Sequence, residues 1–199
     1  MAEKIQYSDI EETIEKLNIE DGGELSSFSC GNDELDAFFH NDILMCAKYH
    51  HIAAYCARDI STREIIAVFT LANDAVILDD GDKDDFLQES SMKVNEEYIP
   101  WLQKQTSFPA INIGHLGVKK GLQSRGIGER ILDFVVTTFS EFNLSGCQYI
   151  TVDSLNNPRT NKFYSRYGFM NQTDTDMQRP TRRMYLPIEL YREEDEPIE

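Results

Sequence analysis

Helical and extended patterns of apolar residues alternate along the chain and predict one α/β domain over residues 1–199. Residues 33–48 carry apolar side chains at helical spacing behind Asn32, a suitable helix N-cap. The β-rich runs 51–59 and 64–74 are joined by a short polar break, which is typical of an antiparallel hairpin. The first part of the chain therefore predicts a helix followed by two paired strands.

The second half of the chain gives a strand–helix order twice. A strand at 110–118 precedes a glycine-containing turn and a helix that starts near Ile127. A strand at 148–155 leads to a helix that Asn157 would cap and Gly168 would end. The predicted apolar face of the first of these helices consists of Ile127, Ile131, Phe134, Val135, Thr138 and Phe142.

The run 182–190 predicts a strand at the sheet edge, because Pro187 cannot donate a ladder hydrogen bond. Between the two halves, an acidic insertion at about 79–108 is expected to hold one or two short helices that cover the fold. An acidic tail at about 189–199 ends the chain. Together these elements predict one mixed sheet with helices on its faces.

Charge is distributed unevenly along the chain. The net charge is -16, from 19 basic and 35 acidic residues. Residues 1–24, 79–97 and 189–199 carry more negative charge than the whole chain, so the remainder is close to neutral. This field opposes nucleic acid and anionic membranes and favours a cationic or neutral partner. With no apolar run of bilayer length and no secretory leader pattern, we expect a cytoplasmic protein without a membrane partner.

The cysteines predict neither a disulfide framework nor a zinc site, because none of them has the required spacing. We therefore expect free thiols in or near the core and no metal centre. The four residues are Cys30, Cys46, Cys56 and Cys147.

The turn between the strand at 110–118 and the next helix carries the strongest chemical signal. Gly126 and Gly128 let the main chain approach a ligand, and a helix N-terminus attracts an anion. A Walker A motif is absent, and the dinucleotide-binding motif lacks its third glycine because Ile131 occupies that position. The turn predicts a phosphate-binding site of another class.

The spacing of Gln123, Gly126 and Gly128 resembles the pyrophosphate-binding motif of the GNAT superfamily of N-acetyltransferases. A second family pattern, close to N-x-x-A-x-x-F/L-Y-x-x-x-G-F, follows with threonine in place of the common alanine. The matching residues are Asn157, Thr160, Phe163, Tyr164, Gly168 and Phe169. The resemblance covers residues 110–188 and implies the acyl-CoA N-acyltransferase fold, a mostly antiparallel mixed sheet with helices on both faces.

The start of the chain is similar to one branch of the superfamily. Residues 28–39 and the strand at 53–59 resemble the opening of the toxin-type members, which acetylate the amino acid on charged tRNA. A generic first helix packed on the sheet fits the same pattern.

The resemblance implies acetyl-CoA as co-substrate and roles for individual residues. The fourth strand would pair with the pantetheine arm, and a main-chain N–H near Val118 would polarise the thioester carbonyl. Arg125, with Lys119 or Lys120, would reach phosphate oxygens. The implied cofactor-binding residues are Leu116, Gly117, Val118, Gln123, Ser124, Arg125, Gly126, Ile127, Gly128 and Asn157.

Tyr164 stands where superfamily members often place the general acid that protonates the departing thiolate. The alternative is a packed aromatic ring. Phe163 and Tyr167, four residues apart, are expected to form the core-facing stripe of this helix, and Tyr164 lies about 100° away from Phe163. We therefore predict a catalytic Tyr164.

The general base is less evident. Many relatives carry a glutamate on the fourth strand, whereas this strand offers Asn112 and His115. A lysine amine with a pKa of ~10.4 costs ~4.6 kcal/mol to deprotonate at pH 7, whereas an α-amine costs ~1.4 kcal/mol. The chain therefore fits an α-amine better, with His115 as the candidate base.

The predicted function is acetyl-CoA-dependent transfer of acetyl directly to a primary amine of a small molecule or protein. One alternative is a toxin-like enzyme that acts on aminoacyl-tRNA, which the net charge opposes and a basic group consisting of Arg179, Arg182 and Arg183 keeps open. The other is a module that binds coenzyme A without catalysis. The sequence also allows a homodimer.

Overall fold

In a computed structural model of the chain, the described residues are 10–78, 97, 99–141, 146–172 and 177–188. The strands are β1 (Glu12–Lys16), β2 (Ala53–Asp59), β3 (Ile65–Ile77), β4 (Ser107–Val118), β5 (Tyr149–Leu155), β6 (Met170–Asn171) and β7 (Thr181–Pro187). The α-helices are α1 (Gly22–Leu25), α2 (Asp33–Asn41), α3 (Ile43–Lys48), α4 (Ile99–Leu102), α5 (Ile127–Glu141) and α6 (Pro158–Tyr167).

The strands form one sheet in the order β1-β2-β3-β4-β5-β7-β6. β2 pairs antiparallel with β1 and with β3, β5 pairs parallel with β4, and β7 pairs antiparallel with β5 and with β6. The predicted hairpin and the mixed sheet are confirmed.

The chain divides into two compact units. The first unit comprises Met1–Ala72 and Gly114–Asp133, and the second comprises Asn73–Ile113 and Phe134–Glu199. The single domain over residues 1–199 stays a prediction.

Helices α2 and α3 lie in the first unit, where a single helix was expected. The Asn32 side chain accepts a hydrogen bond from the Leu35 N–H at 3.0 Å and caps α2, as predicted. The helix ends at Asn41, and Asp42, with φ -115° and ψ -31°, separates α2 from α3. Asn and Asp compete with helical hydrogen bonds through their own side chains, and Asn41 donates from Nδ2 to the Ala37 carbonyl.

Strand β1 was not predicted, because its sequence is largely polar. It pairs with β2 along its whole length, and its side chains form ion pairs: Glu12 pairs with Arg130, and Glu15 pairs with Arg63 at 2.7 Å. Such pairs form only in the folded chain, so hydrophobic periodicity carries no sign of them.

The apolar core of the first unit is formed by side chains of its strands and first helices. Its buried members are Leu17, Leu25, Phe28, Cys30, Phe39, Ile43, Ala54, Cys56, Ile65 and Val68. Burial raises the pKa of the Cys30 and Cys56 thiols to about 11. The thiols are free, as expected, and a raised pKa makes them poor nucleophiles.

The second unit has an aromatic core. Its buried members are Val76, Leu78, Leu102, Phe108, Ala110, Tyr149 and Tyr185. Leu102 belongs to α4, the short helix within the predicted insertion 79–108, while residues 79–96 and 98 lie outside the described residues. The predicted acidic tail 189–199 lies outside them as well.

Strand β7 is an inner strand, so its prediction as an edge strand is wrong. It pairs with β5 from Thr181 to Pro187 and with β6 through Met184 and Tyr185. Because β6 has only two residues, its register ends before Pro187, which is therefore tolerated at the last position of β7.

Helix α5 buries one face, as its periodicity predicts. Its buried residues are Ile127, Ile131, Leu132, Val135 and Val136, while Phe134 and Thr138 are half-buried. Phe142 lies outside the described residues. Among the described helices, none is long and apolar enough to cross a bilayer.

Candidate functional site

The end of β4 brings main-chain groups rather than reactive side chains to the site. A Cβ on Gly117 would lie 2.6 Å from Phe39 Cε2, so glycine is required for the close approach of strand and helix. Leu116 and Val118 are half-buried. In the described residues, the register of β4 with β5 runs to Ile113, so both residues lie beyond its last pair.

The turn after β4 bends sharply before α5. Ser124 and Gly126 adopt positive φ values of 62° and 81°, and Ile127 begins the helix. Backbone turned in this way directs successive N–H groups to one side, and the first N–H groups of a helix have no partner within it. With Arg125 exposed beside them, these donors suit a phosphate or pyrophosphate anion.

The Gln123 side chain supports this turn from within. Its Nε2 donates to the Cys30 carbonyl at 2.7 Å and to the Val118 carbonyl at 3.0 Å. Both amide hydrogens are therefore engaged by the main chain, and Gln123 can contribute to ligand binding through its position in the turn.

Two nearby cations are already paired with carboxylates. Lys119 Nζ lies 2.9 Å from Glu64, and Arg130 pairs with Glu12. Arg125 has its side chain exposed, which makes it the better placed cation for a ligand phosphate.

His115 packs against α2. Its ring stacks on Phe38 with centroids 3.7 Å apart, and its Nδ1 lies 3.0 Å from Thr70 Oγ1, which also accepts from the His115 main-chain N–H. Burial lowers the pKa of His115 below its usual value, so the ring is neutral at pH 7. These contacts favour a packing role, and the assignment of His115 as a base stays a prediction.

Asn157 caps α6 in the second unit. Its Oδ1 accepts from the Thr160 N–H at 3.0 Å and from Thr160 Oγ1 at 3.1 Å. The helix ends at Gly168 with φ 116°, as predicted. Asn157 thus stabilises the start of α6. Its contact with the pantetheine arm stays a prediction.

Tyr164 is the buried residue of α6. It is 6% exposed and packs edge-on against Phe163 and Phe169, whereas Phe163 and Tyr167 are half-buried. The expectation that Phe163 and Tyr167 form the core-facing stripe is therefore wrong. Burial raises the pKa of Tyr164 above its usual value, so the hydroxyl keeps its proton at physiological pH.

A polar network crosses the sheet in the second unit. Asn112 on β4 donates to Thr151 Oγ1 at 3.2 Å and to Asp153 Oδ2 at 3.4 Å. Arg183 pairs with Asp153 at 2.8 Å and with Asp74. Arg183, one member of the predicted basic group, is thus neutralised within the sheet.

A loop that contacts the turn before α5 was not predicted from the sequence. The loop Ser29–Gly31, just before the α2 cap, contacts the turn through Gln123 and through the Lys120 N–H, which donates to the Ser29 carbonyl at 2.9 Å. The visible signal is Gly31 immediately before Asn32, since Gly31 has φ 81°. Its partner on the turn is not visible in the sequence, because 93 positions separate Gln123 from Cys30.

Comparisons with known proteins agree with this geometry. Residues 91–171 match the family described as acetyltransferase (GNAT) domain. No curated protein matches the sequence of the chain.

The fold is similar to that of solved bacterial toxins. AtaTR bound with acetyl-CoA is 20% identical at a TM-score of 0.65, over 92% of this chain and 99% of that one. AtaT complexed with acetyl-methionyl-tRNAfMet is 18% identical at a TM-score of 0.68, over 91% of this chain and 97% of that one. A tyrosine-to-phenylalanine variant of AtaT bound to the C-terminus of the antitoxin AtaR is 19% identical at a TM-score of 0.65, over 90% of this chain and 97% of that one. The predicted acyl-CoA N-acyltransferase fold is confirmed.

Proposed function

We propose that the chain transfers acetyl from acetyl-CoA to an α-amino group, a proposal supported by the match of residues 91–171 to the acetyltransferase (GNAT) domain family. The observation that carries the proposal is the donor set at the start of α5. Ser124 and Gly126 turn the main chain toward one side, and exposed Arg125 lies between them. This set fits the pyrophosphate of acetyl-CoA.

The chain's own groups account for the remaining chemistry. The main-chain N–H near Val118 would polarise the thioester carbonyl, a kind of contact that supplies ~3 to 4 kcal/mol of transition-state stabilisation. As the neutral amine nitrogen bonds to the carbonyl carbon, the carbon–sulfur bond breaks, the nitrogen releases one proton to solvent and the thiolate sulfur takes one up. Tyr164, protonated because of its burial, is the proposed donor. No covalent enzyme intermediate is required.

An α-amine is favoured because β4 offers no carboxylate base. Its polar residues include Asn112, whose amide already serves Thr151 and Asp153. Removing a proton from a lysine ammonium at pH 7 costs ~4.6 kcal/mol, against ~1.4 kcal/mol for an α-ammonium. An enzyme without a strong base therefore acts best on the more acidic ammonium.

Release of free thiol from acetyl-CoA tests this preference with two matched acceptors, methionine amide and Nα-acetyl-lysine amide. At pH 7 we expect kcat/KM to be higher for methionine amide by about 10², the ratio of the neutral amine fractions. The rate with methionine amide should level off above about pH 8, and that with the lysine derivative should rise toward about pH 10. Equal rates at pH 7 would contradict the proposed α-amine preference.

Aminoacyl-tRNA is the second candidate acceptor. It is favoured by the fold likeness to AtaT complexed with acetyl-methionyl-tRNAfMet, which extends over 91% of this chain. It is opposed by the net charge of -16 and by the pairing of Arg183 with Asp74 and Asp153. A free amino acid derivative and a charged tRNA both present an α-amine, so the same chemistry serves either acceptor.

Acetylation of charged tRNA by an Arg179→Ser/Arg182→Ser variant separates these acceptors. We expect weak activity on tRNA and no effect of the variant on methionine amide. The matched control, Lys16→Ser/Lys104→Ser, removes two exposed positive charges elsewhere. Strong acetylation of tRNA that falls only in the arginine variant, with a salt slope reduced by about 0.7 to 0.9 for each lost phosphate contact, would establish the tRNA acceptor instead.

A further inference from the structure

The carboxylate of Asp36 is buried in the first unit beside the loop Ser29–Gly31. Asp36 is 8% exposed. Its Oδ1 accepts from the Cys30 N–H at 2.8 Å, and its Oδ2 accepts from Ser29 Oγ at 2.6 Å and from the Gly31 N–H at 3.4 Å. Burial alone would raise its pKa, but these hydrogen bonds hold the pKa of Asp36 below the usual value. The side chain is therefore an anion at neutral pH, with three donors from one loop.

The same loop holds the turn that precedes α5. The Ser29 carbonyl accepts from the Lys120 N–H at 2.9 Å, and the Cys30 carbonyl accepts from Gln123 Nε2 at 2.7 Å. A Cβ on Gly31 would lie 3.2 Å from Lys120 Cδ, so the loop also packs closely on the lysine stem. The loop thus donates to Asp36 through its N–H groups and accepts from the turn through its carbonyl groups.

We propose that Asp36 is a positioning residue for the acetyl-CoA site: it fixes the loop Ser29–Gly31, and that loop fixes the turn 119–128 through Lys120 and Gln123. The inference rests on the proposed function. It adds that a residue outside the GNAT-matching region 91–171 sets the affinity for the pyrophosphate part of the co-substrate. A main-chain anion site depends on the orientation of each N–H group, so loss of the support weakens it.

The test compares two acetyl donors in an Asp36→Asn variant. Acetyl-CoA carries the pyrophosphate, and S-acetyl-pantetheine lacks it. We expect the KM for acetyl-CoA to rise about tenfold or more. This is the usual effect when one hydrogen bond to a charged group is lost, here from a main-chain N–H of the turn to the pyrophosphate. The KM for S-acetyl-pantetheine and both kcat values should stay within about twofold of the wild type, since neither depends on the pyrophosphate.

Two further variants make the comparison specific. Asp33→Asn removes the same charge from an exposed position in the first turn of α2 and should change neither KM. Gln123→Met keeps the side-chain length but removes both donors, and it should repeat the Asp36→Asn pattern even if Asp36→Asn fails to fold. Unchanged kinetics in Asp36→Asn and Gln123→Met would overturn the proposal. An equal rise of KM for acetyl-CoA and for S-acetyl-pantetheine would overturn it as well.

Amide hydrogen exchange in the absence of any ligand tests the support separately from the proposed function. Residues 119–128 should exchange faster in Asp36→Asn than in Asp33→Asn. Equal exchange in the two variants would refute the positioning role, whatever the chain does with acetyl-CoA. If residues 119–128 exchange faster in Asp36→Asn but the wild type neither binds nor uses acetyl-CoA, the positioning role is supported and the proposed function is refuted.

Discussion

A Tyr164→Phe variant is expected to lose turnover by ~10² to 10⁴ while its KM for acetyl-CoA stays near the wild-type value, since a positioned proton donor contributes about that much. The hydroxyl is held in a buried setting, with Phe163 and Phe169 packed edge-on against the ring. Phenylalanine keeps those contacts, so the fold should be retained. The measurement is thiol release at saturating acetyl-CoA, with a melting curve on the same sample.

The raised pKa of Tyr164 adds a pH criterion to this prediction. A buried phenol that stays protonated above pH 10 cannot cause a fall in kcat on the alkaline side below that pH. Tyr167→Phe is the matched control, because it removes a hydroxyl from a half-buried position on the same helix. Equal turnover in the wild type and in Tyr164→Phe would reduce Tyr164 to a packing role and leave water as the acid.

Local signals in the sequence predicted the ends of α6 well. Asn157 as cap and Gly168 as left-handed terminator act within one helical turn, so their roles depend on neighbours in sequence. The Gln123–Gly128 turn is similarly local: Gly126 adopts a positive φ of 81° as a glycine readily does, although Ser124 adopts a positive φ as well. Motifs of this kind therefore predict geometry before any tertiary contact is known.

Side-chain orientation was less predictable. Helical spacing placed Phe163 and Tyr167 on the core face, whereas in the structure Tyr164 is the buried residue of α6. Arg183 was expected as a candidate phosphate contact, but Asp74, more than one hundred positions away in sequence, neutralises it. Such choices depend on long-range contacts that periodicity does not encode.

The candidate site was likewise only partly predictable from the sequence. The glycines and Gln123 are readable from one motif, whereas the support from Ser29–Gly31 and Asp36 involves residues about 90 positions earlier. Asp36 itself looks like an ordinary acidic residue in the first turn of a helix. Only its burial and its three donors distinguish it from exposed Asp33.

A Gly126→Asp variant is expected to lose the stabilisation that acetyl-CoA gives to the wild type. At a hundredfold excess over Kd, a ligand that binds only the native state adds ~2.7 kcal/mol to the free energy of unfolding. Gly126 has φ 81°, which L-residues adopt at a cost, and aspartate would place a carboxylate where the pyrophosphate is expected. The thermal shift with acetyl-CoA should therefore vanish.

Gly121→Asp provides the control for this experiment. It adds the same charge to the same connection, but a Cβ at Gly121 would meet no atom within 4 Å and its φ is not in the left-handed region. Gly126→Ala tests the backbone strain without the charge and should retain part of the shift. If Gly126→Asp keeps the full wild-type shift, or if the wild type itself shows no shift with millimolar acetyl-CoA, the turn 123–128 does not bind the pyrophosphate. A shift lost in Gly126→Asp, reduced in Gly126→Ala and intact in Gly121→Asp would locate the anion at the start of α5, because only a group bound there responds to both the charge and the main-chain conformation of residue 126.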